Sequence, residues 1–325
     1  MGKLPESIDA YKSALELNPR SAAAGLGMAI SLEQLAQKGM AKDIPATYKE
    51  AARIYEAVIE IGGAEVAIAH NNLGNLQREQ FSNLTAAHYH LNRSITVYES
   101  EKAKGREIKE FFYPYKGMGS LMEKTGNVEK AIEYFEKSLK IKEDSGLEIY
   151  KDLLLPYIYQ SLDDMNTWRQ RFLNNVENII KKDLKVQNTA TMEGVPQYYL
   201  AYHGVNNVEA NKLCAKMMLK INPALSFTAP HIPSYKKGGK KFKVGFVSHY
   251  MRDHSVGKMI LGLLRHLHRS KLSITIFNLG AEDNMTEMLK KHADKYIKLQ
   301  PGEISAARNT ISFERLDALV FPEIG

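Results

Sequence analysis

Apolar positions recur at helical spacing through most of the chain and then give way to short apolar runs with polar flanks. Trp168, Phe172, Val176 and Ile179 follow at steps of four, four and three, which predicts the buried stripe of a helix. Asp163 or Asp164 is placed to cap it. Pro156, inside LEIYKDLLLPYIYQSL, marks a kink or break. Val195, Tyr198, Tyr199 and Tyr202 fall at i, i+3, i+4 and i+7 and predict one face of a further helix, which Gly204 ends. That aromatic stripe reads as a domain interface. Asn206-Asn207 opens the next helix, which runs to Ile221. Beyond it, FKVGFVSH, SITIFNL, YIKL and LDALVFPEIG predict strands. Helices are expected between them: one carrying Met259, Ile260, Leu263, Leu264 and Leu267, one over residues 284–293 and one over 304–313. This alternation predicts a parallel, doubly wound sheet, whose ligands bind beyond the carboxyl ends of the strands. The loop from His249 to Ser255 lies on that edge.

The helical part repeats itself. In GMGSLMEKTGNVEKAIEYFEKSLKI, the small residues Gly119, Ala131 and Ser138 are expected where two helices approach closely, with Phe135 filling the gap they leave. A break falls at Thr125-Gly126-Asn127. The second-helix pattern recurs around Ser7, Tyr11 and Ala14, around Ala51, Tyr55 and Val58, and around Ala87, Leu91 and Ser94. The copies lie about 40 residues apart, somewhat longer than the minimal unit of about 34. This small-and-large alternation resembles the tetratricopeptide repeat. The first copy has no first helix, so a preceding segment is expected. Arrays of this kind present a groove to protein or peptide partners, and Asn72 and Asn75 are the candidate partner-binding residues.

Composition narrows the classes. Apolar residues make up 44% of the 325-residue chain, enough for packed cores. No apolar run is long enough to span a membrane, and the first residues show no secretory pattern. The one cysteine, Cys214, reads as a small core residue, and a lone thiol fits a reducing compartment, so a cytoplasmic or nuclear location is expected. Part of the net charge of +7 sits in Lys236, Lys237, Lys240, Lys241 and Lys243. With Gly238 and Gly239 this run reads as a solvated linker. It lacks the interleaved aromatic residues of a nucleic-acid surface. His70, His88 and His90 lack a metal-ligand partner set. No phosphate-binding glycine motif occurs, and Gly257-Lys258 alone is too weak to invoke one. Asp253 or Ser255 is expected to cap the helix after the first strand, and its amino end favours an anion. His254 beside that end can exchange a proton or hydrogen-bond a sugar or phosphate.

The order of repeats, helical bridge and VGFVSHYMRDHSVGKMILGLLRHLHRSKLSITIFNL resembles the O-linked N-acetylglucosamine transferase and SPINDLY-like protein O-glycosyltransferases. Val247, Ser248 and His254 match the motif in place, and PQYYLAYHGVNN and DALVFPEIG carry the resemblance further. It implies an α plus α/β chain: a tetratricopeptide-type α-solenoid, a helical bridge and an incomplete doubly wound parallel sheet, part of the first lobe of a GT-B fold. The expected divisions are residues 1–145, 146–230, a lysine-rich linker at 231–241, and 242–325 as a partial Rossmann-like catalytic lobe. Members move a sugar from a uridine or guanosine diphosphate donor to Ser or Thr of proteins, with inversion and no essential metal or other cofactor. The resemblance makes His254 the candidate catalytic residue and leaves Ser255 and Lys258 as candidate donor contacts. Lys258 stands where the family often has a second histidine. Gly25 and Gly117 stand where animal members carry a groove asparagine, which Asn72 keeps. The second lobe is expected to lie beyond Gly325, so this chain alone is expected to show no turnover. A non-enzymatic repeat adaptor is the alternative.

Overall fold

The computed structural model describes residues 3–105, 111–182, 184–186, 196–236, 239–300 and 304–322. Two compact units emerge, Met1–Pro223 and Ala224–Gly325. Val195, Lys237 and Gly238 lie outside the described residues.

The first unit is helical. Its repeat helices are α1 (Lys3–Leu17), α2 (Ala22–Gln37), α3 (Ile44–Ile61), α4 (Val66–Glu79), α5 (Leu84–Ala103), α6 (Phe112–Lys124) and α7 (Val128–Ile141). Ser21, Asp43, Asn83 and Asn127 cap α2, α3, α5 and α7 by accepting a backbone N–H from the first turn. Gly126 takes φ +82° between α6 and α7, a left-handed turn that glycine adopts at no steric cost.

Close helix approach is set by glycines facing large side chains. A Cβ on Gly119 would lie 2.5 Å from the Phe135 ring, and one on Gly74 would lie 2.8 Å from Leu91 Cγ. Gly27, rather than Gly25, occupies the place equivalent to Gly117. A Cβ on Gly27 would meet the Tyr11 ring at 2.4 Å, as one on Gly117 would meet Leu91 at 2.8 Å, whereas Gly25 faces Val58. Phe135, Leu73 and Leu91 are fully buried, each such side chain contributing roughly 1.5–3 kcal/mol. The small residues expected at the contacts are buried too. Ser94 Oγ donates to the Ala67 carbonyl at 2.7 Å and Ser138 Oγ to that of Phe112 at 3.0 Å, each tying a second helix to the start of its first.

Past the repeats come α8 (Ser145–Leu153), α9 (Leu162–Lys181) and α10 (Val208–Ile221). α8 stops three residues before Pro156. Its last carbonyls are not left orphaned: Arg171 donates to Lys151 and Leu154, and Asn175 to Asp152. Phe172, Val176 and Ile179 form the predicted buried stripe, with Cys214 and Met217 of α10 in the same core. Burial pushes the Cys214 thiol up to about 11, the behaviour of a packed hydrophobe.

Two expectations are corrected here. Ser161, not Asp163 or Asp164, caps α9 by accepting from the Asp164 N–H; a hydroxyl one turn earlier left both aspartates inside the first turn. Residues 196–203 form a 3-10 helix rather than an α-helix. At three residues per turn Leu200 and His203 share the buried face, while Tyr198 and Tyr202 are exposed.

The second unit is a sheet of β1 (Phe242–Ser248), β2 (Leu272–Asn278), β3 (Lys295–Lys298) and β4 (Ala318–Val320), all parallel, in the order β3-β2-β1-β4. α11 (Ser255–His266), α12 (Asn284–Lys291) and α13 (Ile304–Phe313) are the crossovers. Phe246, Ile274 and Ile276 pack with α11 and α12, while Val247 and Phe277 pack with Ala307 and Ile311 of α13, so helices cover both faces. Gly245 makes room on the second face, where a Cβ would lie 2.4 Å from Leu316. The chain runs outward from β1 to β3 and returns to β4 on the other side of β1. The point of reversal is therefore the carboxyl end of β1 beside β4.

Candidate functional site at the carboxyl edge of the sheet

β1 delivers the chain to this edge and Ser248 turns it. Ser248 Oγ accepts from the Tyr250 N–H at 2.8 Å, and its carbonyl accepts from the Leu279 N–H. The loop that follows is pinned at each step. Met251 is fully buried and its carbonyl accepts from Thr286 Oγ1 at 2.6 Å. The Asp253 N–H donates to Asp283 Oδ2 at 2.7 Å. Asp283 also caps α12 in a reciprocal capping box with Thr286, and these donors hold its carboxyl below the usual range. Two glycines let the backbones touch: a Cβ on Gly280 would lie 1.8 Å from the His249 carbonyl oxygen, and one on Gly257 would lie 2.0 Å from that of Arg252.

His254 itself caps α11, correcting the expectation for Asp253 or Ser255. It is extended (φ −152°, ψ 158°), and its Nδ1 accepts from the Val256 N–H at 3.3 Å. Asp253 is instead committed to Lys258, with Nζ 2.8 Å from Oδ1, and that carboxylate raises the lysine's affinity for its proton. Ser255 is the first residue of α11, its Oγ 3.5 Å from His254 Nδ1. Tyr250 stacks on the imidazole, centroids 4.2 Å apart and planes 19° off parallel. With Nδ1 accepting, the neutral ring carries its proton on Nε2. The first turn of α11 thus gathers His254, Ser255 and Lys258, but Lys258 is paired rather than free.

Asn72 and Asn75 lie on α4 of the other unit. Asn75 lines a groove of about 680 Å³ with Lys116, Ser120, Glu123 and Tyr150. Asn72 is drawn inward: its Oδ1 accepts from Asn71 at 2.9 Å and its Nδ2 donates to Tyr55 OH at 3.4 Å, which in turn donates to Glu33. Burial holds the Glu33 carboxyl above its ordinary range.

His70 and His90 meet across α4 and α5, Nδ1 to Nδ1, at 2.9 Å, which requires one N–H and one lone pair. Among the described residues no three His, Cys, Asp or Glu side chains converge on a metal geometry. Burial, then the neighbouring His90 and Arg93, pushes His70 down to about 4, and burial lowers His90 as well. The unfolded chain takes up these protons from about pH 6.5 downward, while the folded pair resists. Its contribution is therefore fully present above that pH and is lost as pH falls toward 4. The urea midpoint of the repeat unit should drop between pH 6.5 and 5, and His70→Gln should flatten the drop. An unchanged slope in that variant would remove the pair as its cause.

Sequence reasoning missed Gly280, Gly257, Asp283 and Thr286, which hold the loop. The Asp-x-x-Thr spacing before α12 was the available signal for the last two.

Residues 117–145 match the family model described as Tetratricopeptide repeat. No curated protein matches the chain. Among solved structures it is similar to a mutant O-GlcNAc transferase of Thermobaculum terrenum, with 15% identity and a TM-score of 0.50, over 92% of this chain and 46% of that one. It is also similar to Pseudomonas aeruginosa pilF, with 18% identity and a TM-score of 0.39, over 67% of this chain and 92% of that one. Fold and repeat match together define a tetratricopeptide-type helical array carrying a small parallel α/β unit, a fold shared with part of that transferase. The chain spans under half the length of that transferase. No helix among the described residues is long and apolar enough to cross a membrane.

Proposed function

We propose that this chain is the acceptor-recruiting array and part of the first lobe of a protein O-glycosyltransferase, which moves a sugar, N-acetylglucosamine in the first instance, from a nucleotide diphosphate to Ser or Thr of proteins. The observation that carries the proposal is His254 at the strand-reversal edge, ordered as the cap of α11 with Nε2–H uncommitted to that cap. In transfer, the acceptor hydroxyl attacks the anomeric carbon as the diphosphate leaves. Charge grows on the phosphates and a proton leaves the hydroxyl. The capped imidazole is suited to donating a hydrogen bond through Nε2 to a sugar or phosphate oxygen. Accepting a proton there would require the ring to give up its cap. The amino end of α11 and Ser255 favour a nearby anion, and Lys258 would have to leave Asp253 to join them.

The groove beside Asn75, with Lys116 and Glu123 offering both charges, favours the second reading, a repeat adaptor that binds extended peptides. Transfer from labelled uridine or guanosine diphosphate sugars to peptide acceptors, by the protein of the complete reading frame, separates the two. Label fixed on Ser or Thr supports the transferase. Peptide capture with no transfer from either donor supports the adaptor.

A further inference from the structure

The opposite edge of the sheet holds a second cavity, of about 980 Å³, where the chain enters β1 and approaches β4. His231, Lys236, Lys243, Ser312, Phe313 and Arg315 line it. Three features set it apart.

The first is uncompensated charge. In this unit Lys258, Lys290 and Lys295 pair with carboxylates, while among the described residues Lys240, Lys271 and Lys291 stand singly on the exposed surface. Lys236, Lys243 and Arg315 pair with none among the described residues, although acidic groups are close in sequence. Glu314 is taken by Lys295, and Asp317 accepts from Tyr235 OH and from the Lys243 backbone N–H. Three cations in a concave wall against the single neighbouring carboxylate of Asp317 leave a positive surplus that attracts anions.

The second is strain. Arg315 takes φ +46°, one of two non-glycine residues with positive φ among those described. An L-residue is held there against its steric preference, and such outliers concentrate at binding sites. The third is an orphaned polar atom: His231 Nε2 is buried with no hydrogen-bond partner. Phe313, 84% exposed, adds an apolar face to the same wall.

We propose that this cavity binds a polyphosphate-bearing small molecule. Its phosphate oxygens accept from Lys236, Lys243 and Arg315, with His231 Nε2 as a further partner, and Phe313 covers whatever apolar part the ligand carries. Three cations suit a chain of phosphates better than one carboxylate. The site is separate from the carboxyl edge and does not depend on a transferase reading.

Titrating the intact chain with sodium tripolyphosphate in a calorimeter tests it, with ATP as a second arm. Saturable one-to-one binding is expected. Lys243→Gln should weaken it about tenfold, the equivalent of one lost charge-assisted contact. Arg315→Gly should weaken it similarly while raising the melting temperature, because glycine relieves the left-handed backbone, so loss of binding there cannot be blamed on misfolding. Lys240→Gln, an exposed lysine outside the cavity, should stay within about twofold. Tighter binding of ATP that Phe313→Ala abolishes identifies a nucleotide; equal binding of both identifies inorganic polyphosphate. No saturation at millimolar concentration in low salt overturns the proposal. So does equal weakening by Lys240→Gln, or tighter binding of a single-stranded oligonucleotide than of tripolyphosphate.

Discussion

Alanine at Gly280 should destabilise the α/β unit by about 3 kcal/mol, the upper end for overpacking. The added Cβ would lie 1.8 Å from the His249 carbonyl oxygen and 2.8 Å from its carbon. Both are backbone atoms, so no rotamer change relieves the clash. Nor is the loop free to retreat: Ser248 holds it at Tyr250 and Leu279, and Thr286 holds it at Met251. The damage should be local first. Amide exchange in β1, β2 and the first turn of α11 should accelerate before the repeats respond. Gly262 on the same helix α11 is the contrast, because a Cβ there meets nothing within 4 Å. Gly262→Ala should gain about 0.5–1 kcal/mol from helix propensity alone. A Gly280→Ala protein with the parent's urea midpoint would show that the loop yields easily and does not hold His254 in place.

The second large effect concerns His254, whose side chain has two separable roles. As the cap of α11 it accepts from Val256, and losing that bond costs about 1 kcal/mol. As an imidazole it is proposed to donate through Nε2, and losing a donor of that kind lowers the rate about 10²–10³-fold. Asparagine caps well but has no imidazole; alanine does neither. In the transfer-competent protein, His254→Asn should therefore keep the stability of α11 and still lose about two orders of magnitude in kcat. His254→Ala should lose both. If His254→Asn transfers at the parental rate, the residue is a cap and nothing more.

How much of this could be read in advance varied with the kind of interaction. Strand positions, crossovers and repeat helices are written in periodicity, and the alternation of Gly119 with Phe135 was visible because it recurs with the period of the repeat. Local choices between neighbouring polar residues were not. His254, Asp253 and Ser255 can all cap a helix. The tie was broken by Lys258 and Asp283, which engage Asp253 from its own helix and from a loop thirty residues away. At α9 it was position that decided: Ser161 stands ahead of Asp163 and caps the helix first. The tyrosines at 198, 199 and 202 satisfy an α-helical period, but three to a turn it is Leu200 and His203 that line up on the buried side, and the tyrosine rings cluster outside it. Gly280 is silent in sequence because its contact, His249, lies across the sheet edge and follows from strand pairing rather than spacing.

The glycines of the repeats carry an implication for descent. Gly27 is measured against Tyr11, Gly74 against Leu91 and Gly119 against Phe135. Each pair shares one volume between two helices, so neither member can change alone. Where a related sequence carries alanine or serine at the position of Gly119, its partner at 135 should be smaller than phenylalanine. The two sites should have been inherited as a unit, leaving a covariation between first and second helices that an alignment of relatives would display.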